Sequence, residues 1–193
     1  MTTIYLSRHA ESDWNAENRF QGHTDRPLTE RGREQAAALA DELADKPLDA
    51  IFSSPLCRAL ETAELVAARH DLPAIPVEGL REVDVGGWAG LSRSDVEARF
   101  PDAFGRWLAG GEGWEDGETY DQMSARVLAA VREIASEHPD GTVLIVSHGG
   151  PIRALHAAAR DMTVHDYRRL HRVEPNARLS SLAVEDGRLT RLD

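Results

Sequence analysis

An uninterrupted apolar run in the last third of the chain constrains the fold more than any other feature. Residues 142–147 read TVLIVS and lead directly into His148, Gly149 and Gly150. A strand without polar alternation needs cover on both faces, as in the interior of a parallel sheet flanked by helices. The run therefore predicts a central strand of a layered α/β domain, with its carboxyl end at His148.

Shorter strands are predicted around this run. Residues 3–7 alternate weakly between apolar and polar and then meet a polar cluster, and residues 49–53 form a second short strand. Near the end of the chain, residues 179–184 and 189–192 flank an Asp186-Gly187 turn, which is typical of a hairpin. The sheet is therefore expected to be mixed, with most of its strands parallel.

Helical patterns separate the strands. Thr29 can cap a helix that should end near Lys46, and Ser54 followed by proline predicts the start of a helix over residues 56–70. A third apolar face recurs at helical spacing between residues 123 and 134. Strands that alternate with helices predict a three-layer α/β domain with helices on both faces of the sheet.

The segment 86–117 does not follow this alternation of strands and helices. It is rich in Gly and Trp, and it carries two short helical patterns at residues 92–100 and 102–108. No internal repeat or linker divides the chain, and its length suits one hydrophobic core. We therefore expect residues 1–193 to form a single domain, with residues 86–117 as a small lid subdomain.

Charge and cysteine content narrow the range of functions. The formal net charge of -11 argues against nucleic acid or an anionic membrane surface as the partner, because both would be repelled. No apolar run is long enough to span a bilayer, and the first ten residues lack the pattern of a secretion signal. The single cysteine, Cys57, allows no internal disulfide. A cytoplasmic protein is expected, and any site for an anion must be locally basic.

The carboxyl ends of the predicted strands carry Arg8, His9 and His148. Ligands of open α/β sheets bind beyond these ends, so the three side chains are expected to meet there. Each of them alone would more often be structural than catalytic. The motifs around these residues distinguish a catalytic role from a structural one.

Four blocks in the chain resemble the motifs of one enzyme family. They are the run from Arg8 to Gly32 (RHAESDWN, FQGH, PLTERG), residues 53–59 (SSPLCRA), residues 80–90 (LREVDVGGWAG) and residues 146–150 (VSHGG). In this order the blocks resemble those of the histidine phosphatase superfamily, in its phosphoglycerate-mutase-like branch. The resemblance covers almost the whole chain, and it implies the mixed α/β fold of that family.

The resemblance implies a catalytic set in which His9 is the nucleophile that carries phosphate and Glu82 is the general acid. Arg8, Arg58 and His148 would hold the phosphoryl oxygens, as the transfer of a dianion requires. Two guanidinium charges beside His9 would also favour its neutral, nucleophilic form. The phosphate-binding residues are expected to be Arg8, Ser12, Asn15, Gln21, Gly22, Arg58, His148 and Gly149.

The implied reaction is hydrolysis of a small soluble phosphomonoester, without a cofactor or a metal. The alternative is a phosphoglycerate-type mutase, but the interval between Glu82 and His148 is short, and only Arg93, Arg99 and Arg106 are available there to grip a carboxylate. A catalytically inactive phospho-ligand binding protein would be expected to lack one of the five catalytic residues. A homodimer is left open, and lid side chains are expected to choose the substrate.

Several side chains receive other interpretations. Arg153 is expected to anchor the helix that follows His148, with contact to phosphate as the alternative. The tryptophans are expected to pack in the core or the lid, although Trp107 and Trp114 could also contact substrate. Two positions depart from the family pattern. Ala10 stands where the family usually has Gly, which would cost about 1 kcal/mol if the backbone there needed a positive φ. Ala89 stands where Glu is frequent, and it bears on lid contacts.

Overall fold

The computed structural model describes residues 1–192, in which six strands form one mixed sheet. The strands are β1 (Thr2–Arg8), β2 (Ala50–Ser53), β3 (Ala74–Pro76), β4 (Thr142–Ser147), β5 (Leu179–Glu185) and β6 (Arg188–Arg191). Their order is β3-β2-β4-β1-β5-β6, and the first four are parallel while β5 and β6 run antiparallel to their neighbours. The predicted mixed, mostly parallel sheet and the terminal hairpin are confirmed.

Within residues 1–192, eight α-helices connect the strands. They are α1 (Asp13–Ala16), α2 (Glu30–Leu43), α3 (Cys57–His70), α4 (Arg93–Arg99), α5 (Pro101–Leu108), α6 (Tyr120–Glu137), α7 (Gly149–Ala158) and α8 (Val164–Leu170). Across residues 1–192, we find no helix with the length and apolar character needed to cross a membrane.

Strand β4 is central, and its side chains enter two separate cores. Leu144 and Val146 belong to the cluster formed with α2 and α3, whereas Val143 and Ile145 belong to the larger cluster formed with α6 and α7. All four are fully buried. Burial of an apolar residue at every position explains why the TVLIVS run shows no polar alternation.

Two local expectations differ from the structure. Helix α2 ends at Leu43, three residues before Lys46, with Ala44 as its C-cap. The predicted N-cap at Ser54 is wrong: the cap position of α3 is Leu56, which makes no side-chain capping bond. The Ser54 hydroxyl accepts from the Leu56 N–H at 3.3 Å and lies 2.7 Å from Nε2 of His148.

Residues 86–117 contain both predicted helices, as α4 and α5. Trp88, Val96, Phe104 and Trp114 from this segment join the same buried cluster as α6 and α7. Arg168 of α8 donates to the carbonyl oxygens of Gly110 and Gly111, and these bonds hold the end of the segment that follows α5 against α8. The segment therefore packs as a wall over the carboxyl edge of the sheet.

The loop after β1 depends on a glycine at the start of α2. A Cβ atom at Gly32 would lie 2.1 Å from the carbonyl oxygen of Glu11, so only glycine permits this approach of helix to loop. Ala10 in the same loop is fully buried and is not among the described residues with positive φ. The methyl group therefore carries no backbone strain there.

Gly32→Ala should lower the free energy of unfolding by about 1 to 3 kcal/mol, since the methyl group must displace backbone in a packed region. Gly105 offers a matched control, because it lies within a helix and a methyl group added there would meet nothing within 4 Å apart from its chain neighbours and the backbone of its own helix. Gly105→Ala should be neutral or stabilising by about 0.5 to 1 kcal/mol. Urea unfolding curves measure both, and equal changes would contradict the close approach.

Candidate active site

Backbone hydrogen bonds beyond the strand ends place three segments side by side. The His9 N–H donates to the Ser147 carbonyl at 2.9 Å, and the Ser54 N–H donates to the Val146 carbonyl at 3.0 Å. The parallel ladder thus continues past the last strand residues, and His9, Ser54 and His148 emerge together at one edge. This is the meeting of strand ends that the sequence predicted for His9 and His148.

The imidazole of His9 has a defined tautomer. Its Nδ1 lies 2.7 Å from the Ala10 carbonyl oxygen, and a carbonyl can only accept a hydrogen bond, so Nδ1 carries the proton. Nε2 is then the atom with a free lone pair. The ring is buried, with 2% exposure, yet it lines a cavity, so a ligand in that cavity can reach this lone pair.

Burial and neighbouring charge keep both active-site histidines neutral. The pKa of His9 is lowered well below 6.5, first by burial and then by the guanidinium groups of Arg58 and Arg8. The pKa of His148 is lowered well below 6.5 by burial, then by Arg58, with smaller effects from other neighbours. A neutral His9 is the form that can act as a nucleophile at neutral pH.

His148 lies behind the His9 ring. The two ring centroids are 5.0 Å apart, and Nε2 of His148 pairs with the Ser54 hydroxyl. Its Nδ1 is buried without a hydrogen-bond partner in residues 1–192. A buried polar atom of this kind is costly unless a ligand satisfies it, so Nδ1 is a candidate contact for an oxygen atom bound next to His9.

Arg58 is held by backbone carbonyls rather than by an acid. Its Nη1 donates to Thr24 O and its Nη2 to Gly22 O, both at 2.9 Å. Burial lowers its pKa to about 10, so the group stays charged at neutral pH. Nε is buried and unpaired among residues 1–192, which leaves an unsatisfied donor beside His9.

Arg8 is arranged in the same way. Its Nη1 donates to the carbonyl oxygen of Glu174 at 2.9 Å, and its buried Nε has no partner in the described chain. Neither Arg8 nor Arg58 forms an ion pair with a carboxylate of residues 1–192, although desolvation of an unpaired charge is expensive. Two such cations next to one imidazole make a site for a dianion.

The Glu82 carboxylate is fixed at one oxygen and open at the other. Oε1 accepts from the Val83 N–H at 2.9 Å and from the Gly150 N–H at 3.0 Å. The backbone carbonyl of Glu82 is held in turn by Nε2 of His23 and by Nη2 of Arg126. Oε2 is therefore the oxygen left to exchange a proton with a ligand.

One cavity of about 320 Å³ collects most of the predicted site. The predicted site residues that line it are Arg8, His9, Asn15, Gln21, Gly22, Arg58, Glu82 and Gly149. Ser12 and His148 are fully buried and are not part of its wall.

Ser12 is buried next to residues of the cavity wall and does not itself line the cavity. Its hydroxyl donates to Gln21 Oε1 at 2.8 Å, and it also accepts from the Asn15 N–H as the N-cap of α1. With both hydroxyl functions occupied and no exposure to the cavity, Ser12 orients Asn15 and Gln21. Direct phosphate contact by Ser12, as the sequence led us to expect, disagrees with this geometry.

For the basic residues of the cavity, sequence reasoning missed Arg168 and gave Arg153 a different main role. Arg153 lines the cavity and makes no hydrogen bond within residues 1–192, so its expected role as a helix anchor has no support. Arg168 also lines the cavity. Of the three arginines named as candidates to grip a carboxylate in the mutase alternative, Arg93 lines the cavity, whereas Arg99 and Arg106 do not. Trp107 and Trp114 both line it, in agreement with the sequence. The signal for Arg153 was its position one turn after Gly149 on a helix that begins at the site.

The neutral histidines should make folding stability depend on pH. Their pKa values are lower in the folded state than in the unfolded chain, so the unfolded state binds more protons as the pH falls below about 6.5. The stability they contribute is complete above that pH and is lost towards acid, at about 1.4 kcal/mol per pH unit for each group. His148→Gln should therefore flatten the change in unfolding free energy between pH 7 and pH 5. Urea titrations test this, and identical slopes in the two proteins would contradict it.

Comparison with known proteins assigns the family. The profile of the histidine phosphatase superfamily (branch 1) matches residues 4–192. Phosphoserine phosphatase 1 of Hydrogenobacter thermophilus is 38% identical over 160 residues, which cover 82% of this chain and 76% of that protein. Glucosyl-3-phosphoglycerate phosphatase of Mycolicibacterium vanbaalenii is 34% identical, with coverage of 85% and 76%.

Solved structures agree with the sequence relatives. Bacillus stearothermophilus YhfR superposes with a TM-score of 0.92 and 35% identity, covering 100% of this chain and 96% of that one. The mycobacterial glucosyl-3-phosphoglycerate phosphatase in complex with VO3 gives a TM-score of 0.90 at 30% identity, covering 99% and 97%. The predicted family and the predicted phosphatase activity are both confirmed: this chain belongs to branch 1 of the histidine phosphatase superfamily.

Proposed function

We propose that the chain hydrolyses a small soluble phosphomonoester through a phosphohistidine on His9. The observation that carries this proposal is the N–H of Nδ1 bonded to Ala10 O, which leaves Nε2 as a free nucleophile between two buried guanidinium groups. A nucleophile held in this position needs no activating base, because the neutral tautomer is already present. Phosphoserine and glucosyl-3-phosphoglycerate, the substrates named for relatives, are small esters of the proposed class.

In the first step Nε2 of His9 attacks phosphorus in line with the ester oxygen. The N–P bond forms as the P–O bond to the alcohol breaks, and Oε2 of Glu82 gives its proton to the leaving oxygen. The unpaired donors of Arg8 and Arg58 would meet the equatorial oxygens, with Nδ1 of His148 as a further donor. Charge on the phosphoryl group is thereby stabilised by groups already in place.

In the second step water attacks the phosphohistidine. The N–P bond breaks, the Glu82 carboxylate takes the proton from water, and inorganic phosphate leaves with His9 restored to its starting tautomer. The hydrogen bonds from Val83 and Gly150 to Oε1 hold the carboxyl group for both proton transfers. One residue thus serves as acid and then as base.

We also propose that the enzyme works in the cytoplasm on a diffusible substrate, with neither nucleic acid nor membrane as a partner. The net charge of -11 repels both polyanions, and the basic groups concentrate in the cavity. No group of three or more His, Cys, Asp or Glu side chains in residues 1–192 has the arrangement of a metal site. The arginines supply the positive charge that a phosphate ester requires.

Brief reaction with labelled substrate, quenched without acid, should leave label on His9. The reaction is run with a chelator present, since the proposed mechanism uses arginine in place of a metal. The adduct should be lost in acid and survive base, as expected of a phosphoramidate, and His9→Ala should trap none. Acid-stable label, label in His9→Ala, or turnover that a divalent ion restores after chelation would each contradict the proposal.

Glu82→Gln should slow hydrolysis in a way that depends on the leaving group. The amide keeps an oxygen for the two backbone donors but cannot supply a proton in the same way, so kcat/KM for an alkyl phosphate should fall about 10²- to 10⁴-fold. p-Nitrophenyl phosphate should lose much less, because its phenolate leaves unaided.

Asp84→Asn is the matched control for this experiment. Asp84 Oδ1 accepts from the Gly86 N–H at 3.0 Å, and the residue does not line the cavity. Both substrates should therefore keep their rates in this variant. Equal losses for the two substrates in Glu82→Gln would show that Glu82 positions phosphate instead of donating a proton.

A further inference from the structure

The cavity holds more positive charge than one phosphate group requires. Glu82 is its one acidic lining residue among residues 1–192, whereas its cationic lining residues are Arg8, Arg19, Arg58, Arg93, Arg153 and Arg168. The chain as a whole carries a net charge of -11, so this concentration of arginine is a local feature. Arg8 and Arg58 are accounted for by the phosphate site, and four cations remain.

Three of the four are engaged with the protein or exposed to solvent. Arg19 pairs with Glu17 at 2.6 Å, and its Nη1 donates to Gly90 O. Arg168 donates to backbone carbonyls of the lid and lies 3.8 Å from the ring centroid of Tyr120. Arg93 is partly exposed and lies over the ring of Trp107. Each of the three contacts another group of the protein through its guanidinium.

Arg153 differs from these three. Its side chain is half-buried and reaches the cavity from α7, and its Nε, like that of Arg168, is buried without a partner in the described chain. No hydrogen bond, ion pair or ring contact engages its guanidinium group within residues 1–192. Burial lowers its pKa, and the neighbouring charge of Arg168 lowers it further. Leaving a partly buried cation unpaired costs stability, which a ligand anion would recover.

We propose that Arg153 binds a carboxylate on the substrate, at a second subsite in the same cavity as the phosphate site. This inference rests on the proposed function, because it assigns the substrate class of that site: a phosphomonoester that also bears a carboxylate. Arg153 lies one helical turn beyond Gly149, which lines the phosphate end, so both anionic groups of one small molecule can be held at once.

A carboxylate suits this subsite better than a second phosphate. The phosphate site uses two guanidinium groups for a dianion, whereas here the Nη1 atom of Arg168 is engaged by Gly110 O and Gly111 O. One free guanidinium fork matches the two oxygens and the single charge of a carboxylate. The subsite would select the substrate, while the chemistry stays with His9 and Glu82.

Binding to the His9→Ala variant tests this without any need for turnover. Calorimetry should compare 3-phosphoglycerate with glycerol 3-phosphate, which has a hydroxymethyl group in place of the carboxylate. The carboxylate ligand should bind about 10- to 100-fold more tightly, as a charge-assisted pair allows. Adding Arg153→Met should remove this preference while the Kd of glycerol 3-phosphate stays within about twofold, and Arg153→Lys should restore part of it.

Arg160→Met is the matched control, since it removes an exposed arginine just beyond α7 that does not line the cavity. It should keep the full preference. Equal affinity for the two ligands in His9→Ala, or equal weakening of both by Arg153→Met, would overturn the subsite. If propane-1,3-diol bisphosphate lost more affinity than 3-phosphoglycerate in Arg153→Met, the carboxylate assignment would be wrong. Failure of the proposed function is a separate result, namely no phosphate release by the wild-type enzyme.

Discussion

The active site depends on two buried guanidinium groups placed against a buried imidazole. Burial alone disfavours a charged histidine, and Arg58 and Arg8 add electrostatic repulsion, so His9 remains neutral. The same two cations supply the attraction for a phosphate dianion. In the proposed mechanism, one arrangement of charge therefore both prepares the nucleophile and binds the group that it attacks.

That arrangement is unfavourable in the absence of ligand, and the fold supports it with backbone dipoles. Arg58 is held by the carbonyl oxygens of Thr24 and Gly22, and Arg8 by that of Glu174. Carbonyl oxygens orient a guanidinium group without neutralising it, as a carboxylate would. Arg126 shows the contrast: away from the cavity wall it is paired with Glu118 at 2.6 Å, and it acts on the site through the Glu82 carbonyl. Full charge is thus kept where phosphate is expected to bind.

The sequence was most informative where periodicity and motif agreed. The TVLIVS run predicted a strand covered on both faces, and the ends of β1 and β4 brought His9 and His148 together because parallel strands share an edge. Ser54 and Ser12 were misjudged for one reason: a hydroxyl can cap a helix, bind a ligand or orient a neighbour, and local sequence does not decide among these. The role of each hydroxyl is set by a residue from another segment of the chain: His148 contacts Ser54, and Gln21 contacts Ser12.

Arg153 illustrates a further limit of sequence reasoning. An arginine on an amphipathic helix usually lies in solvent, and nothing local indicates that this one faces the cavity. The relevant observation is that no carboxylate of residues 1–192 pairs with Arg153. A paired carboxylate would have identified it as part of a structural ion pair. In a chain with a net charge of -11, composition alone does not account for an unpaired cation that lines a cavity. The free-energy cost of burying that cation is recovered only if an anion from outside the protein occupies the cavity. Substrate selection and the stability of the empty enzyme are therefore opposed at this residue, as they are at Arg8 and Arg58.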